Sequence, residues 1–130
     1  LVLTPHAGEL ARLSGEQPGT DRVAAVRHAA RISGAVVLLK GSTTVVAHPD
    51  GRVLLSDAGS SRLATAGTGD VLSGVIAALV ARGVEPFQAA ALGAQVHGRA
   101  SALGPPQGLV ASDLPALISR WLSGARRPWA

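Results

Sequence analysis

The run Ala35-Val36-Val37-Leu38-Leu39 places the tightest limit on what this chain can fold into. It carries no polar side chain in either alternating register, so it suits a strand covered on both faces, as in a parallel sheet flanked by helices. Lys40-Gly41-Ser42-Thr43 follows at its carboxyl end, where open α/β sheets bind ligands. One such strand cannot make a sheet alone. The opening residues Leu1-Val2-Leu3 read as the end of another strand running into a loop, so further strands are expected upstream of Leu1.

The elements around the run are legible from period and punctuation. Glu9 to Leu13 is a short helical candidate. Asp21 to Ser33 is a longer one, with Val23, Val26, Ala30 and Ile32 as its apolar stripe and Gly34 closing it. Thr44 to Ala47 and Arg52 to Leu55 flank His48-Pro49-Asp50-Gly51, which is turn chemistry and predicts a hairpin. Ser56 to Ala66 reads as loop. Val71, Leu72, Val75, Ile76, Leu79 and Val80 recur at helical spacing, with Gly83 as the stop. Pro86 suits the first position of the next helix, which is rich in alanine and glycine. Ser112 is the expected cap of a last helix carrying Leu114, Leu117, Ile118, Trp121 and Leu122 on its apolar face. The succession predicts an α/β fold with helices packed on a mostly parallel sheet.

Composition removes several function classes. The 130 residues are 47% hydrophobic and 15% charged, enough for one domain with a substantial core. No apolar run approaches a membrane span, and no signal-peptide pattern opens the chain, so a soluble cytoplasmic protein is expected. With no cysteine, neither disulfides nor thiolate metal sites are available. No His/Asp/Glu cluster has transition-metal spacing, so no protein-held metal is expected. The net charge of +4 is mild, and the arginines are scattered apart from Arg126 and Arg127. That argues against nucleic-acid binding and is compatible with anionic small molecules.

The chemistry concentrates in Leu63-Ala64-Thr65-Ala66-Gly67-Thr68-Gly69-Asp70-Val71-Leu72-Ser73-Gly74. Free N–H groups at a helix start, together with the helix dipole, attract anions, and glycines let a phosphate approach the backbone. Asp70 in that first turn can face a bound phosphate and accept a proton from an attacking hydroxyl. The same residues also suit a plain helix start, with Thr68 as cap and Asp70 favouring the dipole. Lys40 is the only lysine among 12 Lys and Arg residues. It reads either as a solvated strand-end lysine or as a cation facing a ligand. His6, in Thr4-Pro5-His6-Ala7-Gly8-Glu9, reads either as a locally satisfied loop histidine or as a ligand contact. His97 reads as a packed, hydrogen-bonded histidine.

Taken in order, Leu3-Thr4-Pro5-His6-Ala7-Gly8-Glu9, Leu39-Lys40-Gly41-Ser42-Thr43-Thr44-Val45, the Gly67-Thr68-Gly69-Asp70 segment, Ala90 to Gly98 and Ala111-Ser112-Asp113-Leu114 closely resemble the ADP/ATP-dependent NAD(P)H-hydrate dehydratases. The resemblance implies a ribokinase-like three-layer α/β sandwich. Residues 1–130 would then be the C-terminal portion of a single catalytic domain, short of several strands and part of the substrate pocket. It implies that a nucleotide phosphoryl group is spent on the hydroxyl of hydrated NADH or NADPH (NADHX, NADPHX), and that phosphate elimination then restores NAD(P)H. Carried over, Asp70 is the base and His6 contacts the hydrate with it. Lys40, Gly41, Ser42, Thr43 and Thr44 line the adenine nucleotide, joined by Gly69, and the amides of Gly67, Thr68 and Gly69 hold the transferring phosphate. Mg²⁺ bridges the phosphates of ADP or ATP. Bacterial members resemble ADP users and eukaryotic ones ATP users. Ala7 stands where the family usually has proline, Ser60-Ser61 where Asn-Pro is common, and Ser56 where asparagine is frequent. A half-domain with exposed apolar surface is expected to associate into a homo-oligomer. The alternatives are a vitamin or sugar kinase of the same fold and a non-catalytic nucleotide-binding module.

Overall fold

The computed structural model describes residues 1–125. Arg126 and Arg127 lie outside them. The chain runs β1 (Val2–Leu3), α1 (Ala7–Ser14), α2 (Arg22–Ser33), β2 (Val36–Leu39), β3 (Thr44–Ala47), β4 (Val53–Ser56), α3 (Thr68–Ala81), α4 (Pro86–Ser101) and α5 (Leu114–Ala125), with short 3₁₀ turns at Ser61–Leu63 and Ala111–Asp113. The strands form one sheet in the order β1-β2-β3-β4. β1 and β2 are parallel, as expected, with the crossover made by α1 and α2. The other two pairings, β2–β3 and β3–β4, are antiparallel. A sheet that is mostly parallel is therefore not what these four strands form. Lys40 to Thr43 is too short a link for a crossover, so β3 must return beside β2.

Strand periodicity sorts the apolar side chains into two layers. Val36, Leu38 and Val46 face Leu72 and Ile76 of α3 and Phe87, Ala90 and Ala94 of α4. Val37, Leu39, Val45 and Ala47 face Leu10 of α1 and Val26, Ala29 and Ala30 of α2. With helices on both faces, β2 and β3 are buried throughout, which is why the Ala35–Leu39 run carries no alternation. α5 extends the α4 side, with Leu114 fully buried.

Local chemistry sets the element ends. His6 caps α1 through a reciprocal capping box with Glu9, and Gly15 closes it in the left-handed conformation. Asp21 caps α2 and Gly34, at φ 65°, closes it. Glu85 caps α4, with Pro86 at its first position. Further expectations fail: Val80 and Leu122, read on the apolar faces of α3 and α5, are 37% and 41% exposed. Ile32 is 53% exposed, because the buried stripe of α2 runs through Val26, Ala29 and Ala30. Ser112 sits inside the 3₁₀ turn ahead of α5 and does not cap it; the Asp113 carboxylate accepts from the Val110 N–H instead. Among the described residues, no helix is long and apolar enough to cross a membrane.

Candidate active site

Parallel pairing of β1 and β2 brings their carboxyl ends together. The Lys40 N–H donates to the Pro5 carbonyl at 3.2 Å, so the Thr4-Pro5-His6 turn and the Lys40-Gly41 turn form one corner. The N-terminus of α3 faces this corner. Gly67, at φ 86°, precedes the helix in a conformation that side chains other than glycine's rarely adopt. Thr68 is the first helical residue and not the cap. Its hydroxyl donates back to the carbonyls of Leu63 at 2.7 Å and Thr65 at 2.9 Å, folding the preceding loop against the helix start.

Two adjoining clefts open here, of about 370 and 580 Å³. Lys40, Thr68 and Gly69 line both. The smaller cleft also takes in Gly41, Ser42 and Thr44 from the β2–β3 turn and Gly98 from α4. The larger takes in His6, Gly67 and Asp70. Lys40 is the hinge between them. Its ammonium lies 3.1 Å from where a Cβ on Gly69 would stand. A cation set beside the positive end of a helix is repelled unless an anion sits with them. Among the described residues no carboxylate lies within ion-pair distance of Lys40. The corner therefore offers an unpaired cation beside a helix N-terminus, an arrangement that can receive an anion.

The amides divide. Those of Gly67 and Gly69 have no hydrogen-bond partner among the described residues, whereas that of Thr68 turns back to the Thr65 carbonyl at 3.4 Å. Asp70 is exposed and lines the larger cleft. His6 lies in the same cleft, but its Nδ1 accepts from the N–H groups of Gly8 at 3.1 Å and Glu9 at 3.2 Å. The locally satisfied reading of His6 holds: Nδ1 caps α1, Nε2 lies 3.5 Å from Glu9 Oε1, and the side chain stays exposed at the cleft. The Glu9 carboxyl is held below its usual range, chiefly by the His6 backbone N–H donating to it at 2.8 Å, with smaller help from the charges of His6, Lys40 and Arg12.

Of the residues expected from the sequence, Thr43 alone lines neither cleft; its carbonyl accepts from Arg22. Thr4, Glu9 and Ser73 were not expected and do line the larger cleft. Two of them were legible by spacing, since Glu9 and Ser73 each follow a site residue by three positions on a helix. His97 is buried, and its Nε2 donates to the Thr68 carbonyl at 2.9 Å. Burial lowers its pKa and the nearby Lys40 charge adds to that, against the opposing pull of the Thr68 bond. It is the packed, hydrogen-bonded histidine expected, and it also faces the smaller cleft.

A model of the NAD(P)H-hydrate dehydratase family matches residues 1–123. The chain belongs to that family. It is 54% identical over 128 residues to the bifunctional NAD(P)H-hydrate repair enzyme Nnr of Mycobacterium leprae, covering 96% of this chain and 26% of that protein. Its fold matches the ADP/ATP-dependent NAD(P)H-hydrate dehydratase of Bacillus subtilis, co-crystallised with ATP/Mg²⁺ and soaked with CoA, at a TM-score of 0.88 and 31% identity, over 95% of this chain and 48% of that one. A ribokinase-like protein of Enterococcus faecalis matches at 0.81 and 25% identity, over 98% and 45%. The fold is thus the ribokinase-like one of the dehydratase family. The chain spans about a quarter of the first relative and just under half of the two solved structures.

Proposed function

We propose that this chain carries the nucleotide cleft and catalytic base of an enzyme that dehydrates NAD(P)H hydrate at the expense of ADP or ATP. The observation that carries the reading is the placement of Lys40 and the Gly69 amide at the junction of two clefts, with Asp70 in one and the Lys40–Thr44 turn in the other. A nucleotide in the smaller cleft puts its terminal phosphate at that junction. The hydrate lies in the larger cleft, with its hydroxyl against Asp70 and His6.

Asp70 takes the proton from the substrate hydroxyl as its oxygen attacks the terminal phosphorus, and the bond from that phosphorus to the nucleotide breaks. Lys40 and the amides of Gly67 and Gly69 bear the charge on the transferring group. Phosphate then leaves with the electrons of its C–O bond, a neighbouring ring carbon gives up a proton, and the nicotinamide double bond is restored. Phosphorylation makes a poor leaving group into a good one, which is the reason to spend a nucleotide on a dehydration.

Among the described residues no cluster of three His, Cys, Asp or Glu side chains can hold a metal. Mg²⁺ keeps waters and binds mainly through substrate phosphates. When bound on the nucleotide it supplies charge neutralisation. Asp70 and Glu9, the carboxylates lining the larger cleft, are the residues placed to meet its waters.

We place the protein in the cytoplasm with its cofactor-derived substrate. A homo-oligomer belongs to the same proposal, supported by edge strand β4, where Leu55 is 60% and Leu54 39% exposed. Sedimentation of the natural protein as a monomer would remove that part. The deciding product assay supplies NADHX with ADP or ATP and Mg²⁺. One NADH and one free phosphate per hydrate consumed supports the dehydratase; a stable phosphorylated product makes it a small-molecule kinase.

A further inference from the structure

Arg22 opens α2 on the far side of the sheet from α3, and it lines neither cleft. Its guanidinium reaches the β2–β3 turn. Nη1 donates to the Thr43 carbonyl at 2.7 Å and Nη2 to the Lys40 carbonyl at 3.2 Å. The turn's other two carbonyls, those of Gly41 and Ser42, lie where a Cβ on Gly59 would stand only 2.4 and 2.3 Å from them, so only glycine fits there. Arg22 thus holds the first and the last of the four carbonyls from Lys40 to Thr43.

The peptide unit is planar and trans, so fixing a C=O fixes the N–H of the next residue in the opposite direction. Holding the Lys40 carbonyl against Arg22 turns the Gly41 N–H away from Arg22. That N–H has no partner among the described residues, and Gly41 lines the smaller cleft. Arg22 also explains the glycine. A Cβ on Gly41 would stand 2.5 Å from Nη2, in the space that the guanidinium fills.

We propose that Arg22 is a positioning residue for the nucleotide cleft: its fork holds the Lys40 and Thr43 carbonyls and so presents the Gly41 amide to an adenine nucleotide. This rests on the nucleotide reading of that cleft. Its action is on affinity for the nucleotide and not on the chemical step, because it touches no reacting group.

Arg27 provides a matched control. It lies on the same helix and makes the same kind of bond, Nε to the Gly51 carbonyl at 2.9 Å, but at the tip of the β3–β4 hairpin. The test titrates the natural protein that carries this sequence with ADP and with ATP, each with Mg²⁺, by calorimetry. Arg22→Ala is expected to weaken binding by about tenfold or more, since two charge-assisted bonds are lost. Arg27→Ala is expected to leave affinity unchanged while lowering the melting temperature to a similar degree. At saturating nucleotide, kcat and the KM for the hydrate stay at wild-type values in Arg22→Ala. Arg22→Lys, which reaches one carbonyl, falls between. Should Arg22→Ala not fold, Gly41→Ala replaces it. Its Cβ displaces the guanidinium, so it too must weaken nucleotide binding, and it must weaken it less in the Arg22→Lys background. Wild-type affinity in Arg22→Ala, or in Gly41→Ala where that replaces it, overturns the proposal, as does an equal loss in Arg27→Ala. A wild-type protein that binds neither nucleotide overturns the nucleotide reading itself and this inference with it.

Discussion

His97 is held neutral by its surroundings, and stability should report it. Its pKa lies below the ordinary value of 6.5 because the ring is buried and Lys40 is near. The unfolded chain therefore takes up a proton first as pH falls through about 6.5, while the folded chain does not. The stability from His97 is full above that value and declines below it, down to the folded-state pKa. Urea unfolding at mildly acidic and neutral pH should show this slope in the wild type and less of it in His97→Gln. An unchanged slope contradicts the burial argument. Gly69→Ala is the second residue-scale test. Its Cβ would stand 3.1 Å from the Lys40 ammonium, so Lys40 must move, and turnover should fall by about tenfold or more with little change in melting temperature. Lys40 and Asp70 were legible as candidates because each breaks a local pattern, one as the single lysine and the other as a carboxylate among glycines. The cap made by His6 Nδ1 was not, since nothing in one-dimensional spacing says which ring nitrogen a cap will occupy.

At the scale of elements, α4 is built to be approached closely. Gly93 faces Ile76 of α3, with 2.6 Å between its would-be Cβ and Cγ1, and Gly98 lies against the Ala58 carbonyl of the loop after β4. Gly98→Ala therefore sets a side chain against backbone. It should cost about 1–3 kcal/mol in unfolding free energy, measured by denaturant, and should distort the smaller cleft that Gly98 lines. Arg62 joins the same layers, donating to the carbonyls of Ser101, Ala102 and Gly104 at the end of α4. The small residues of α4 were readable as a close-packing face. Their partners were not, because periodicity gives a face and not its neighbour. Ile32 was misplaced for the same reason, since α2 turns Ala29 inward and leaves the larger side chain outside.

The described residues form a sheet with a separate apolar layer on each side, and β2, like β3, serves both. Leu38 fills the α3–α4 layer and Leu39 the α1–α2 layer. Alanine at either should cost about 2–5 kcal/mol by denaturant titration, because both side chains are fully buried. The run that limited the fold most therefore supplies both cores and ends at Lys40. The antiparallel return of β3 and β4 follows from a short link after Lys40, and the hairpin was legible from its turn residues. The convergence of His6, Lys40 and Gly67-Thr68-Gly69-Asp70 comes from the parallel step between β1 and β2. That step depends on pairings far apart in sequence, so it was reached through family resemblance and not through periodicity.

The most direct test of the central claim is turnover of NADHX by the natural protein with ADP or ATP and Mg²⁺, wild type beside Asp70→Asn, with nucleotide affinity measured on the same samples. The account predicts nucleotide-dependent recovery of NADH in the wild type, its collapse in Asp70→Asn by several orders of magnitude, and nucleotide affinity retained in the variant. NADH recovered equally well by Asp70→Asn would contradict it.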